Sequence, residues 1–544
     1  MMRGKELNEG QKKRGLLLCM VMATCLALTG CATFGPILLN KAVILYDDSV
    51  LQAEQQLLLL NIVRMHDEQP PHFTVANSIS ATYALSHTGG LASSFTGASA
   101  PHVYSYGSGL SLGTAISDNP TLTIAPMQGK DVSKRLLEPI DPAFVNMILL
   151  QQGGSKLDKM FRLACQGFFM LGPKDAKETF EGIKVKDSKG NIVKYDYPIS
   201  KPYNLEDKDS VLKYFQHEGG FDKHQADCLS DEDGCLIENR PSRKLSEVAS
   251  KRQDINNYEL FRKLVLHIVA VAWSGHLYPF LLSFDLPIEG TFRTADELKK
   301  NGISIKDTMD ALDKQYYLYE IPKSTTQTAG FVVTKRYSFT ALADFDYALM
   351  EDKDKKALLE KIRKKDFVLD EFTKYDQSMI IVLLRGDPQT NRWPIYGYFT
   401  LRNFRQVLHF LAESLKDQLG YEKEYDILPS LFTTKMLDSL ELRLKLPYGC
   451  LDNPALTLTI ASRKIPTILP GDRLVDVDYH GESFWISSPP DQSAASLQQP
   501  EQGRQWENLH PLRWDKEVFS MLYEIFQFNR VEPAVSPPSI SISK

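Results

Sequence analysis

Several groups of residues in this chain have the types that chemistry uses. His66, Asp67, Glu68 and His72 bring two imidazoles and two carboxylates together, a set that can ligate metal or carry protons. Their spacing fits no common metal motif. The alternative is a solvated helix end, where His66 would sit well near the negative pole of the dipole. His217, His224, Cys228 and Cys235 could supply four zinc ligands, but six, three and six intervening residues match no common zinc module. Cys228 and Cys235 bracket the polar turn Leu229 to Gly234, and a disulfide between them is the expectation for an oxidising compartment. A calcium loop built on Asp231-x-Asp233-Gly234 would begin at Leu229 and end at Arg240, where carboxylates are required, and is excluded. Gly129-Lys130 lacks the upstream glycine of a phosphate loop, and Gly107-Ser108-Gly109 with Gly113 misses the dinucleotide pattern by one residue. H-E-x-x-H does not occur, and the G-x-S-x-G match Gly109-Leu110-Ser111-Leu112-Gly113 lies inside the alternating run Val103 to Ser117 and not at the strand-to-helix turn that a nucleophile needs. The expectation is therefore no catalytic set, no metal site and no cofactor.

The sharpest signal is Cys31. Arg3, Lys5, Lys12, Lys13 and Arg14 precede an apolar stretch from Leu16 to Leu28, and Leu28-Thr29-Gly30-Cys31 follows. This order resembles the lipobox of bacterial lipoproteins. The resemblance implies a signal peptide over 1–30, cleavage between Gly30 and Cys31, lipidation of the Cys31 thiol and acylation of the new amino terminus. Ala32 and Thr33 follow with no acidic residue, which by the same resemblance points to the outer membrane, with the body in the periplasm. Each buried methylene is worth about 0.8 kcal/mol, so two or three acyl chains hold durably where one holds weakly. Five basic and two acidic residues leave with the signal, so a net charge of −5 becomes −8.

Two further segments, Glu54 to Arg64 with Pro70-Pro71-His72-Phe73, and Asn119-Pro120-Thr121-Leu122-Thr123 with Pro126 and Gly129, resemble a group of uncharacterised bacterial lipoproteins. That resemblance implies an envelope lipoprotein and contributes no catalytic residue.

Composition narrows the classes. The 544 residues are 43% hydrophobic and 24% charged, and 27 Phe, 23 Tyr and 5 Trp exclude disorder of the whole chain. Near balance between 63 basic and 68 acidic residues implies no nucleic-acid partner. A single long apolar run, at the N-terminus, excludes a polytopic helical membrane protein. Cys165 lies in an apolar stretch that the pattern predicts to be helical, Leu157 to Leu171, as a small buried hydrophobe. The charge run Glu351 to Lys365 is a solvated helix face.

The pattern predicts an α+β chain, with an N-terminal helix plus long β-hairpin joined to a larger mixed α/β body. After a lipidated tether (31–46) come a helix and hairpin region (47–130), a mixed α+β region with the Cys loop (131–245), a C-terminal α+β body (246–530) and a disordered tail (531–544). The helix opens at Asp47 and Asp48 and stops before Pro70-Pro71. Phe73 to Leu85 and Val103 to Ser117 alternate with period two, large residues against small ones, so they are strands of one hairpin. Ser86 to Pro101 connects them, Asn119-Pro120 turns, and Thr121 to Ala125 is a third short strand.

Three functions compete at this level. The first is a non-enzymatic structural or assembly component of the envelope, with protein partners and a lipid-held membrane contact. The second is a subunit of an oligomeric pore or export complex that contributes its hairpin. Thirteen residues at about 3.3 Å span roughly 43 Å, or roughly 33 Å when tilted by about 40°, against an apolar band of about 25 Å. Asn77, Ser108 and Thr114 on the lipid-side faces count against it. The third is an envelope hydrolase whose groups converge only in space.

Overall fold

In the structure, a computed structural model, the described residues are 43–95, 106–126, 136–141, 144–148, 156–186, 191–194, 207–217, 223–240, 252–273, 275–287, 316–321, 330–363, 379–385, 394–421, 456–463, 472–488 and 503–528. The signal peptide, Gly30, Cys31 and the tail 531–544 lie outside them. The fold is α+β, in two compact units. Of the described residues, 43–59 and 72–126 belong to the first unit, and 60–71 and 136–528 to the second.

Helix α1 covers 43–66 and starts four residues before Asp47. Leu58, Leu59, Ile62 and Val63 are buried, whereas Val43, Ile44 and Leu45 at its start are more than half exposed. The helix closes with Glu68 in the left-handed region (φ 62°) and Gln69 N–H donating to the Arg64 carbonyl at 2.8 Å. Pro70 and Pro71 then prevent continuation.

Two strands follow, β1 (Thr74–Phe95) and β2 (Tyr106–Pro126), of 22 and 21 residues. They run through Ser86 to Phe95, expected as connection, and through Asn119-Pro120, expected as a turn, so Thr121 to Ala125 is the end of β2. Ser86 to Phe95 pairs with Tyr106 to Ala115 in register. Small residues there weaken β-propensity, but a partner strand supplies the hydrogen bonds that propensity does not.

The second unit is built on one seven-stranded sheet. Its strands are β3 (Cys165–Met170), β6 (Cys235–Glu238), β7 (Tyr278–Pro287), β8 (Tyr316–Ile321), β9 (Gly330–Ala343), β10 (Met379–Leu384) and β11 (Ile395–Leu401). The order is β6-β3-β11-β10-β9-β7, with β8 also paired to β9. Only β10 and β9 are parallel; the other pairs are antiparallel. The run Met-Ile-Ile-Val-Leu-Leu of β10 is buried throughout, as a strand covered on both faces requires. A hairpin of β4 (Lys184–Lys186) and β5 (Ile192–Lys194) and a sheet of β12 (Ala461–Ser462), β14 (Glu482–Ser488) and β13 (Asp472–Tyr479) complete the strands. Because β3 and β6 share a sheet with β7 to β11, the boundary expected near 245 falls inside one unit.

Another correction concerns Leu157 to Leu171. Helix α2 (Leu157–Ala164) ends there and β3 begins at Cys165. The change of state places Phe168 against Phe399, ring centroids 4.8 Å apart, while Phe161 stacks on the same ring at 4.5 Å. Close approach of backbones explains Gly397, where a Cβ would collide with the Phe169 carbonyl and the Phe168 ring. Further helices among the described residues are α3 (Pro173–Phe180), α4 (Lys208–His217), α5 (Lys223–Leu229), α6 (Arg252–Trp273), α7 (Asp352–Arg363), α8 (Phe404–Tyr421) and α9 (Gly503–Phe528). Helix α8 opens on a reciprocal cap, with Gln406 N–H donating to Asn403 Oδ1 at 2.8 Å and Asn403 N–H to Gln406 Oε1 at 2.9 Å.

Candidate functional site

The hairpin is the feature with functional character. Its register defines two faces, because paired residues of an antiparallel ladder share a side. One face carries the pairs Ile79–Leu122, Leu85–Ile116, Gly89–Leu112, Leu91–Leu110 and Phe95–Tyr106. The other carries Ser80–Thr121, Thr82–Asn119, Ser86–Ala115, Thr88–Gly113, Gly90–Ser111 and Ala92–Gly109. The polar residues on the apolar face are not isolated in register. Ser108 is opposite Ser93 and Thr114 opposite His87, while Asn77 falls at the register shift between Ala76 and Ser78.

Aromatic residues bound the apolar band, Tyr83 at one limit and Phe95 with Tyr106 at the other. Twelve steps at about 3.3 Å give roughly 40 Å along the strand, and about 30 Å at a tilt of about 40°. Tyr83 pairs with Asp118, and Asp118 is the only Asp, Glu, Lys or Arg between Thr74 and Pro126. At the chain's 24% charged residues, a segment of that length would carry about a dozen. Sequence reasoning found the alternation but overlooked this depletion, which marks the whole segment without reference to strand boundaries. Pro120, just outside the band, brings no N–H to any ladder.

The residues singled out from sequence are placed as follows. Cys228 and Cys235 form a disulfide, Cα atoms 5.4 Å apart, which ties the end of α5 to the start of β6. Both thiols are therefore committed to each other, which takes them out of the zinc set considered with His217 and His224. Gly234 takes φ 86° in the intervening turn, where a Cβ would lie 2.7 Å from the Met170 carbonyl. His66 Nδ1 lies 3.4 Å from the Ala412 carbonyl, whereas Asp67, Glu68 and His72 are exposed around the helix end. Among the described residues no three His, Cys, Asp or Glu side chains are placed to hold a metal ion. Cys165 is buried at the start of β3, and burial pushes its thiol well above the usual range, away from nucleophilic character. Helix α7 buries Leu358 and Ile362 and leaves most of its charges to solvent, as the run Glu351 to Lys365 implied.

One charged cluster lay outside sequence reasoning. Arg162 is fully buried on α2; its Nη2 donates to Tyr258 Oη at 2.9 Å, and its guanidinium lies 5.3 Å from the Trp514 ring centroid. Lys159 stands 4.3 Å from the centroid of the same ring and pairs with Glu517 at 3.1 Å. Trp514 Nε1 donates to the Thr457 carbonyl, and Asp515 Oδ1 accepts the Thr459 N–H at 2.9 Å. The cluster joins α2, α6, α9 and the segment 456–463. With Arg162, Lys159, Trp514 and Asp515 buried and Glu517 half-buried beside Lys159, these contacts pack the four segments together.

Burial pushes the Asp515 carboxyl up to about 8. Between its ordinary pKa near 4 and about 8, the unfolded chain has lost this proton while the folded chain retains it. Stability is therefore expected to fall as pH rises across that window, by at most about 1.4 kcal/mol per pH unit from this group. Urea midpoints of the purified protein against pH check this. Asp515→Asn keeps the acceptor for Thr459 and should flatten the profile; an unchanged profile would assign the slope elsewhere.

No family model, curated protein or solved structure matches this chain.

Proposed function

We propose that this chain is an outer-membrane lipoprotein, acylated at Cys31, with a periplasmic body and a β1–β2 hairpin that is one subunit's share of a β-barrel pore built from several copies. The observation that carries this reading is the hairpin itself: two strands of 22 and 21 residues, one face apolar, the other small and uncharged. Among the described residues β1 and β2 pair only with each other. A two-stranded ribbon is marginal alone in water. In lipid every backbone group must be satisfied, which an isolated ribbon cannot achieve and a closed barrel can. The partner that fits is a second copy, with β1 of one chain against β2 of the next in a head-to-tail contact that closes a ring.

Other features support the same arrangement. No helix among the described residues is long and apolar enough to cross a membrane, so anchoring falls to the lipid and the hairpin. The exposed apolar residues Val43, Ile44 and Leu45 follow the tether closely, where an acylated Cys31 would hold them against the bilayer surface. The anchor and α1 both precede Thr74, so the base of the hairpin faces the periplasm and the band from Tyr83 to Phe95 spans the bilayer. The pore reading is thus favoured over the purely structural one and over the hydrolase.

Detergent-extracted full-length protein should appear as rings by electron microscopy and conduct ions in planar bilayers. Deleting 74–126 should abolish conductance while the Cys228–Cys235 disulfide and cooperative unfolding of the second unit persist. Monomers without conductance, or failure of labelled fatty acid to enter the protein, would overturn the proposal.

A further inference from the structure

The face opposite the apolar band has a property that the pore reading does not require. Along Ser78 to Ser94 and Gly107 to Thr123, the register puts serine, threonine, alanine, glycine and one asparagine on it, with no ionisable residue. Ion-selective passages carry rings of charged side chains, and in barrels the residues facing the lumen tune selectivity. A ring of identical subunits multiplies whatever each hairpin contributes, so one carboxylate per chain would make a charged ring; this face contributes none. Ser80, Thr82, Ser86, Thr88, Ser111 and Ser117 supply hydroxyl groups instead, which donate and accept hydrogen bonds without favouring either sign. Asp118, the one charged residue, belongs to the other face, opposite Tyr83.

Resting on the pore reading, we propose that the passage sieves hydrophilic solutes by size and does not select by sign of charge, so that neutral and charged cargo of equal bulk pass alike. Small residues keep the lumen wide, and the uncharged wall creates no electrostatic barrier.

The full-length protein in a planar bilayer under a potassium chloride gradient tests this. The expected permeability ratio of K⁺ to Cl⁻ is within about twofold of unity. Neutral polyethylene glycols small enough to enter should lower conductance, and larger ones should not. Ser111→Asp adds one carboxylate per subunit to this face opposite Gly90, and should raise the K⁺ to Cl⁻ ratio severalfold while channels still form. A wild-type preference of about tenfold or more for one ion, or a ratio unmoved by Ser111→Asp in conducting channels, would overturn the inference and leave the pore intact. Absence of any conductance would overturn the pore reading and this inference with it.

Discussion

Replacing Leu112 with arginine is expected to abolish conductance of the reconstituted protein, whereas the same residue at neighbouring Ser111 should leave channels in place. The two positions are adjacent in β2 but on opposite faces. Leu112 is opposite Gly89, midway between Tyr83 and Phe95 and so at the centre of the band. A guanidinium on the lipid face of a barrel at the bilayer midplane costs about 2–4 kcal/mol, and little near the interfaces. Every subunit of a ring bears that cost, so assembly loses it once per copy. Ser111 lies on the small-residue face, where a charged group would meet water in the lumen. Single-channel recording together with membrane flotation measures both effects. Equal tolerance of arginine at 111 and 112 would show that neither face meets lipid, and a soluble hairpin would be the better description.

Arg402→Met is expected to destabilise the second unit by about 2–4 kcal/mol, the cost of leaving buried carbonyls without donors. Arg402 follows β11 and is buried. Its Nη1 donates to the carbonyls of Arg162 at 3.1 Å and Leu163 at 3.2 Å, and its Nη2 to that of Asn239 at 2.6 Å. These oxygens belong to the end of α2 and to the residue after β6, so one guanidinium clasps a helix terminus to two strands of the sheet. Burial lowers its pKa to about 10, which leaves it charged at neutral pH and favourable beside the negative pole of α2. The Phe410 ring lies 3.9 Å below it. The Arg162 carbonyl also accepts from Asn239 Nδ2 at 2.7 Å, so the loss should concentrate on the carbonyls of Leu163 and Asn239. Methionine keeps the volume, and relief of the buried charge offsets part of the loss. Arg402→Lys keeps the charge but lacks the planar fork, and should lose an intermediate amount. Tryptophan fluorescence during urea unfolding reports the transition through Trp514; a loss below about 1 kcal/mol would mean that the clasp is dispensable.

Much of the local structure was legible because it is set by local rules. The alternation along β1 and β2, the helix stop before Pro70-Pro71 and the solvated charge run of α7 all follow from residues within one element. Cys228 and Cys235 were legible as a disulfide for the same reason, since a short polar turn leaves two thiols close together. The errors share a cause. Leu157 to Leu171 has a helix-compatible pattern throughout, yet Cys165 to Met170 is drawn into the sheet between β11 and β6, contacts made with residues far along the chain. Ser86 to Phe95 is poor in strand formers and reads as a connection, because what makes it a strand is pairing with Tyr106 to Ala115 across the hairpin.

By itself the sequence determined that this chain carries a lipobox-like segment at Cys31, that its hairpin alternates large with small residues, and that charge is nearly absent from Thr74 to Pro126. Alternation and charge are properties of single strands, visible without a partner. Only the tertiary structure decided that the two strands run in unbroken register from Ser78 to Phe95. That register puts Ser108 opposite Ser93, Thr114 opposite His87, and every ionisable residue off the small face. It also decided that Arg162, Arg402 and Asp515 are buried together, because burial depends on which distant segments pack around a residue, and no local pattern of charges encodes that.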